Sequence, residues 1–161
     1  MKRVWIIGAA VLLAGVSMAQ TTAPATQDEL PWTQDYAAAM AQAAKDHQLV
    51  LLNFTGSDWC VPCKLLDRVV FASPEFRKWE EGRIVLVTLD FPARTPQDDA
   101  IKTRNKQLYD QYKVKGYPTI LIITPEGKEL ARTEGVEDDK ITAARWLADV
   151  QKQMAASGAG N

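Results

Sequence analysis

Two cysteines, Cys60 and Cys63, and a single histidine, His47, are all that the 161 residues carry of either type. A structural zinc site takes about four ligands, more than one such chain can supply. No histidine follows the second cysteine, where Lys64 stands, so the motif for covalent haem attachment is absent. Cu(I) favours soft thiolates, but no His or Met stands near the pair to assist. The formal net charge is −1 and no basic stretch stands out, which argues against a nucleic-acid partner. No apolar run reaches the roughly 20 residues of a membrane-spanning helix. Internal repeats are also missing.

What is present begins with an address. Lys2 and Arg3 precede an apolar run from Val4 to Val16, and Ser17-Met18-Ala19 puts small residues where a signal peptidase reads. Residues 1–19 are therefore expected to be a secretory signal cut near Ala19. No cysteine follows the run directly, so a lipid anchor of the lipobox type is not expected. The mature chain would carry 17 basic and 20 acidic residues. Residues 20–31, rich in Thr, Ala, Pro and Gln, read as a flexible lead. One domain over 32–155 and a frayed tail over 156–161 complete the expected organisation.

Hydrophobic residues make up 47% and charged residues 24%, enough apolar content for one globular core. Thr33 is expected to cap a helix running to about His47, with Trp32, Tyr36, Met40 and Ala44 as its apolar stripe. His47 itself reads as a half-exposed residue at the helix end. Leu49 to Phe54 is a continuous apolar run, suited to a central strand covered on both faces. The cysteine pair opens the next helix, and Ser73-Pro74 opens another. Ile84 to Leu89 is a second strand, and Gln97 to Tyr112 a helix. Thr119–Thr124 and residues 128–134 form a hairpin across Pro125-Glu126-Gly127. Asp138 or Asp139 is expected to cap a last helix striped by Ala143, Trp146, Leu147, Val150 and Met154. Two parallel strands joined by a crossover, plus a hairpin, make an α/β fold: one central mixed sheet with helices on both faces.

A Cys-x-x-Cys between a strand and a helix is a redox signature. Export would place it in an oxidising compartment, where disulfides persist. A bridge across two residues closes a tiny loop, and the entropic benefit of a disulfide grows with loop length, so stapling gains little here. A thiolate is the attacking species in disulfide exchange. Cys60 stands at the expected helix start, where unpaired N–H groups favour negative charge. It would attack a substrate disulfide, and Cys63, one turn on, would resolve the mixed disulfide. Pro62 fixes the first turn, and Trp59 offers an apolar wall beside an exposed sulfur.

Trp59-Cys60-Val61-Pro62-Cys63-Lys64 and Lys115-Gly116-Tyr117-Pro118-Thr119 together resemble the thioredoxin superfamily over about residues 45–150. The stretch Ser57 to Lys64 is particularly similar to the periplasmic C-terminal domain of DsbD-type electron transporters. The resemblance implies the thioredoxin fold, a cis peptide bond before Pro118, and a substrate groove formed by Trp59, Tyr117, Pro118 and Gly135, with Pro62 and Lys64 supporting the motif. One departure stands out. Asn53 occupies the position of the buried Asp that cytosolic thioredoxins use to move protons, and Asn cannot titrate. Asp58 and Glu134 are the candidates to replace it.

The expected function is that of an exported thiol-disulfide oxidoreductase, periplasmic or secreted. Strong oxidants of the superfamily resemble Cys-Pro-His-Cys, whose histidine stabilises the thiolate. Val61-Pro62 has no such donor, and the DsbD-type resemblance also implies reduction. The expected direction is therefore a disulfide reductase. A thiol oxidase or isomerase, and a non-catalytic binding module, are the alternatives. Expected partners are disulfide-bearing proteins and a membrane electron donor, with the chain a monomer. No cofactor or metal is expected beyond the Cys60–Cys63 pair.

Overall fold

The computed structural model describes residues 30–136 and 140–158. The expected signal 1–19, most of the lead 20–31, the expected caps Asp138 and Asp139, and the end of the tail lie outside the described residues.

Strand β1, Leu49–Thr55, is the apolar run after the first helix. Six of its seven residues are buried, which only an internal position in a sheet with both faces covered allows. It pairs in parallel with β2, Ile84–Asp90. On its other side it runs antiparallel to β3, Thr119–Ile123, and β3 pairs antiparallel with β4, Glu129–Glu134. The four-stranded order is β2-β1-β3-β4, the mixed sheet that the sequence leads one to expect.

Alternation along β1 divides the core. Leu51 faces one layer, with Leu66, Phe71, Phe76, Leu86, Ile120 and Trp146. Val50, Leu52 and Phe54 face the other, with Ala39, Ala43, Leu108 and Tyr112. The first layer is roofed by α2 (Val61–Leu66), α3 (Pro74–Glu80) and α5 (Ala143–Ala156). The second is roofed by α1 (Tyr36–Asp46) and α4 (Asp99–Gln111). Each fully buried Leu or Phe contributes about 2 kcal/mol, so the two layers carry the fold. Between α2 and α3 the chain forms a π-helical turn, Asp67–Phe71, which widens the helix one turn beyond Cys63.

Two helix starts differ from expectation. Asp35, not Thr33, caps α1, accepting the Ala38 N–H at 3.0 Å. Thr33 is held in an isolated bridge to β2: its N–H donates to the Leu86 carbonyl, and its own carbonyl accepts the Thr88 N–H. That pairing places Trp32 against Phe71 at 5.2 Å, in the layer opposite α1. The buried side of α1 is therefore Ala39 and Ala43, supported by Tyr36 and Met40, while Ala44 is exposed. Thr142 caps α5, accepting the Arg145 N–H at 3.2 Å. Leu30, assigned to the flexible lead, packs on the core.

Candidate active site around Cys60 and Cys63

β1 delivers the chain to Gly56, and residues 57–59 turn it into α2. Cys60 is the N-cap of that helix, with extended backbone (φ −78°, ψ 99°). Its sulfur accepts the Cys63 N–H at 3.2 Å. A cap side chain normally satisfies one of the free N–H groups of the first turn, and here the cap atom is the sulfur itself. Pro62 falls in the first turn, where its missing N–H costs nothing. Cys60 and Cys63 form a disulfide and are each 2% exposed. The sulfur of Cys60, expected to be exposed, is thus covered in the oxidised form. Its neighbours are open instead: Trp59 is 42% and Val61 73% exposed. Lys64 is exposed on α2.

The other loop of the site is the entry to β3. The Tyr117–Pro118 peptide is cis. The Pro118 carbonyl accepts the Gly135 N–H at 2.8 Å, and Gly135 has a left-handed backbone, φ 70°, which glycine adopts without steric cost. Tyr117 meets Trp59 edge-to-face at 5.5 Å between ring centres. Of the residues that the resemblance implied, the structure therefore joins Trp59 to Tyr117 and Pro118 to Gly135. Burial, reinforced by Tyr109, pushes the Tyr117 hydroxyl up to about 12, so it stays neutral at any working pH. His47 lies at the far end of α1, exposed, in left-handed conformation. Among the described residues no group of three His, Cys, Asp or Glu is placed to hold a metal ion.

Both expected proton carriers are corrected. The Asp58 carboxylate accepts the backbone N–H groups of Ala93, Arg94 and Thr95 at 2.9, 2.7 and 2.9 Å, and the Thr95 hydroxyl at 3.2 Å. The Ala93 N–H and its two neighbours hold Asp58 far below the usual carboxylate range, because a charge accepting several backbone N–H groups resists protonation. Glu134 sits exposed on the edge strand β4, paired with Arg132 at 3.0 Å. Asp58 is thus held charged by the loop, and Glu134 is engaged by Arg132 at the sheet edge.

An acid that the sequence reading passed over is better placed. Asn53 lies opposite Thr88 in the β1–β2 register, 5% exposed, and lines a cavity of about 490 Å³ with Thr55, Ser57, Asp67, Phe71 and Thr88. The Thr55 hydroxyl, buried there, has no hydrogen-bond partner among the described residues. Asp67 follows Cys63 by one helical turn, its N–H donating to the Cys63 carbonyl. Asp67 is exposed at the surface, yet partial loss of water, reinforced by the Asp90 charge, raises its carboxyl above the ordinary value. The available signal was its four-residue spacing from Cys63; the raising charge comes from the end of β2.

Residues 36–151 match the family model described as a thioredoxin-like domain. The chain is 37% identical over 113 residues to the disulfide bond reductase DsbH of Chlamydia pneumoniae, covering 70% of this chain and 68% of that protein. It is 34% identical over 111 residues to the thiol:disulfide interchange protein DsbD 2 of Pseudomonas aeruginosa, covering 68% of this chain but only 17% of that much longer protein. The solved structure of a DsbH oxidoreductase superposes with a TM-score of 0.72 at 32% identity, covering 88% of this chain and 95% of that one. The reduced C-terminal domain of Neisseria meningitidis DsbD superposes at 0.52 and 24% identity, covering 72% and 91%, a likeness of fold.

Proposed function

Because this chain belongs to the thioredoxin-like family, we propose that it is an exported disulfide reductase working through Cys60 and Cys63. The observation that carries the reading is the hydrogen bond from the Cys63 N–H to the Cys60 sulfur at the start of α2. In the reduced protein the same N–H, with the helix dipole behind it, favours the Cys60 thiolate. That thiolate attacks one sulfur of a substrate disulfide, forming a mixed disulfide and releasing the first substrate thiolate. Cys63, losing its proton, then attacks the Cys60 sulfur. The Cys60–Cys63 bond forms, the second substrate thiolate leaves, and two electrons have passed to the substrate.

The Cys63 proton needs an acceptor, and Asp67 is the acid we assign to it. Asp67 follows Cys63 by one helical turn and lines the cavity beside Asn53, and its raised pKa brings it nearer to neutrality than an ordinary carboxylate and so better matches it to proton exchange. Asn53 and Thr55 line the same cavity and supply polar atoms without titrating. Trp59, Tyr117, Pro118 and Gly135 form the groove that receives the polypeptide beside the target disulfide. Pro62 and Lys64 complete the motif, and no cofactor beyond the dithiol enters the cycle. The substrates on this reading are disulfide-bearing proteins outside the cytoplasm, reached after removal of residues 1–19. A membrane protein restores the dithiol, and the chain acts as a monomer.

A redox titration of Cys60 and Cys63 against glutathione or dithiothreitol buffers tests the direction. A reductase is expected to show a potential below about −150 mV. A higher value, together with a Cys60 pKa well below about 5, would make the protein an oxidase or isomerase.

A further inference from the structure

Residues 57–59 and 90–95 are tied together more heavily than chain connection requires. The Ser57 N–H and hydroxyl donate to the two Asp90 carboxylate oxygens at 2.8 and 2.6 Å. The Trp59 indole N–H donates to the Phe91 carbonyl at 2.8 Å. Between them, Asp58 takes three consecutive backbone N–H groups, those of Ala93, Arg94 and Thr95, and the Thr95 hydroxyl. Consecutive N–H groups converging on one carboxylate form an anion nest. Each charge-assisted bond there is stronger than a neutral one.

The loop so held carries Phe91 into the site. Its ring stands 5.2 Å from Tyr117 and 5.7 Å from Tyr109, and Tyr117 in turn meets Trp59 at 5.5 Å. One side of the groove beside Cys60 is therefore an aromatic wall whose position depends on where residues 91–95 lie. We propose that Asp58 is a positioning residue for protein substrates: by clasping residues 93–95 it fixes Phe91, and through it Tyr117 and Trp59, against which the polypeptide flanking the target disulfide packs. The proposal rests on the dithiol reading of Cys60 and Cys63. The Asp58 carboxylate is directed onto residues 93–95 and its charge is screened by water and salt, so the sulfurs should sense its loss little. A small disulfide that never touches the wall should not sense it either.

The test compares the full chain with Asp58→Ala on two substrates. With dithiothreitol as reductant and insulin as the protein disulfide, KM is expected to rise about tenfold while kcat stays within about twofold. The single-turnover reaction of the reduced protein with the small aryl disulfide DTNB is expected to stay within about twofold, and the reduction potential to stay unchanged. Asp58→Asn, which keeps the size and one acceptor oxygen, should fall between the two; if Asp58→Ala does not fold by circular dichroism, it carries the test alone. Equal losses on insulin and DTNB, a shifted potential, or no change on either substrate would overturn the positioning role. A wild-type chain that reduces neither substrate sinks the dithiol reading and this proposal with it. A wild type that reduces DTNB but not insulin removes only the proposal.

Discussion

The backbone N–H of Cys63 donates to the sulfur of Cys60 at 3.2 Å, so the first cysteine caps the helix that carries the second. On the proposed reading the two residues divide the work of disulfide exchange. Once the disulfide is reduced, the helix start would favour the Cys60 thiolate. Cys63 lies inside the first turn of that helix, and on the proposed reading it attacks the sulfur of its neighbour to release the substrate.

Replacing Cys63 with Ser should leave the attack intact and remove the resolving step. The Cys63→Ser chain is expected to accumulate as a covalent adduct with its substrates, visible on non-reducing gels and identifiable by mass spectrometry. Cys60→Ser should yield no adduct and lose insulin reduction by at least about a thousandfold. Adducts of equal yield from both variants would mean that the roles are not divided in this way.

Reducing the disulfide should hardly weaken the fold. The bridge spans a sequence separation of 3, and loop-closure entropy for so short a loop is worth less than about 2 kcal/mol. The two packed layers on either side of the sheet remain as they are. Thermal melts with and without dithiothreitol are expected to differ by only a few degrees. Loss of the folded signal on reduction would turn the pair into a structural staple.

Asp67 should make activity and stability respond to pH in opposite senses. Its folded pKa lies above the unfolded value, so between the two the folded chain binds more protons. Stability then falls as pH rises from about 4 through the raised pKa. Asp67→Asn removes that cost and should flatten the fall in urea midpoint. Some slope is expected to survive, because burial also raises Glu80. The same variant should slow the resolving step on the order of 100-fold, read as a lag in release of the second substrate thiol. A variant with unchanged stability profile and unchanged release would take the proton role away from Asp67.

Gly56 is expected to tolerate no side chain. A Cβ there would stand 2.5 Å from the Trp59 indole nitrogen and 2.8 Å from Cζ2, so the ring must leave and its bond to the Phe91 carbonyl must break. Gly56→Ala should cost about 1–3 kcal/mol of stability. It should also raise the exposure of Trp59 to acrylamide quenching while the spectrum of the core is kept. Unchanged quenching would show that the indole is free to move without consequence.

Much of this protein was written locally. Leu49 to Phe54 and Ile84 to Leu89 read as buried strands because every side chain along them except Asn53 and Thr88 is apolar. Pro125 to Gly127 marks the hairpin, and the α5 stripe returns as the buried Ala143, Trp146, Leu147 and Val150. Cys60 and Cys63 were legible because spacing and a strand-to-helix junction are properties of neighbours in sequence. Tertiary structure decided the rest. Thr33 does not cap α1 because β2 pairs with it, its hydroxyl accepting the Asp35 N–H instead, and Trp32 changes sides as a result. Asp58 read as a possible proton carrier until residues 35 to 37 positions away turned three N–H groups onto it. Asp67 became notable only when the pairing of Thr55 with Asp90 brought the end of β2 alongside the redox loop. Periodicity and motif spacing report which faces of a segment are apolar. The state of a carboxylate depends on which distant donors and charges the strand register delivers to it, and no local pattern encodes that.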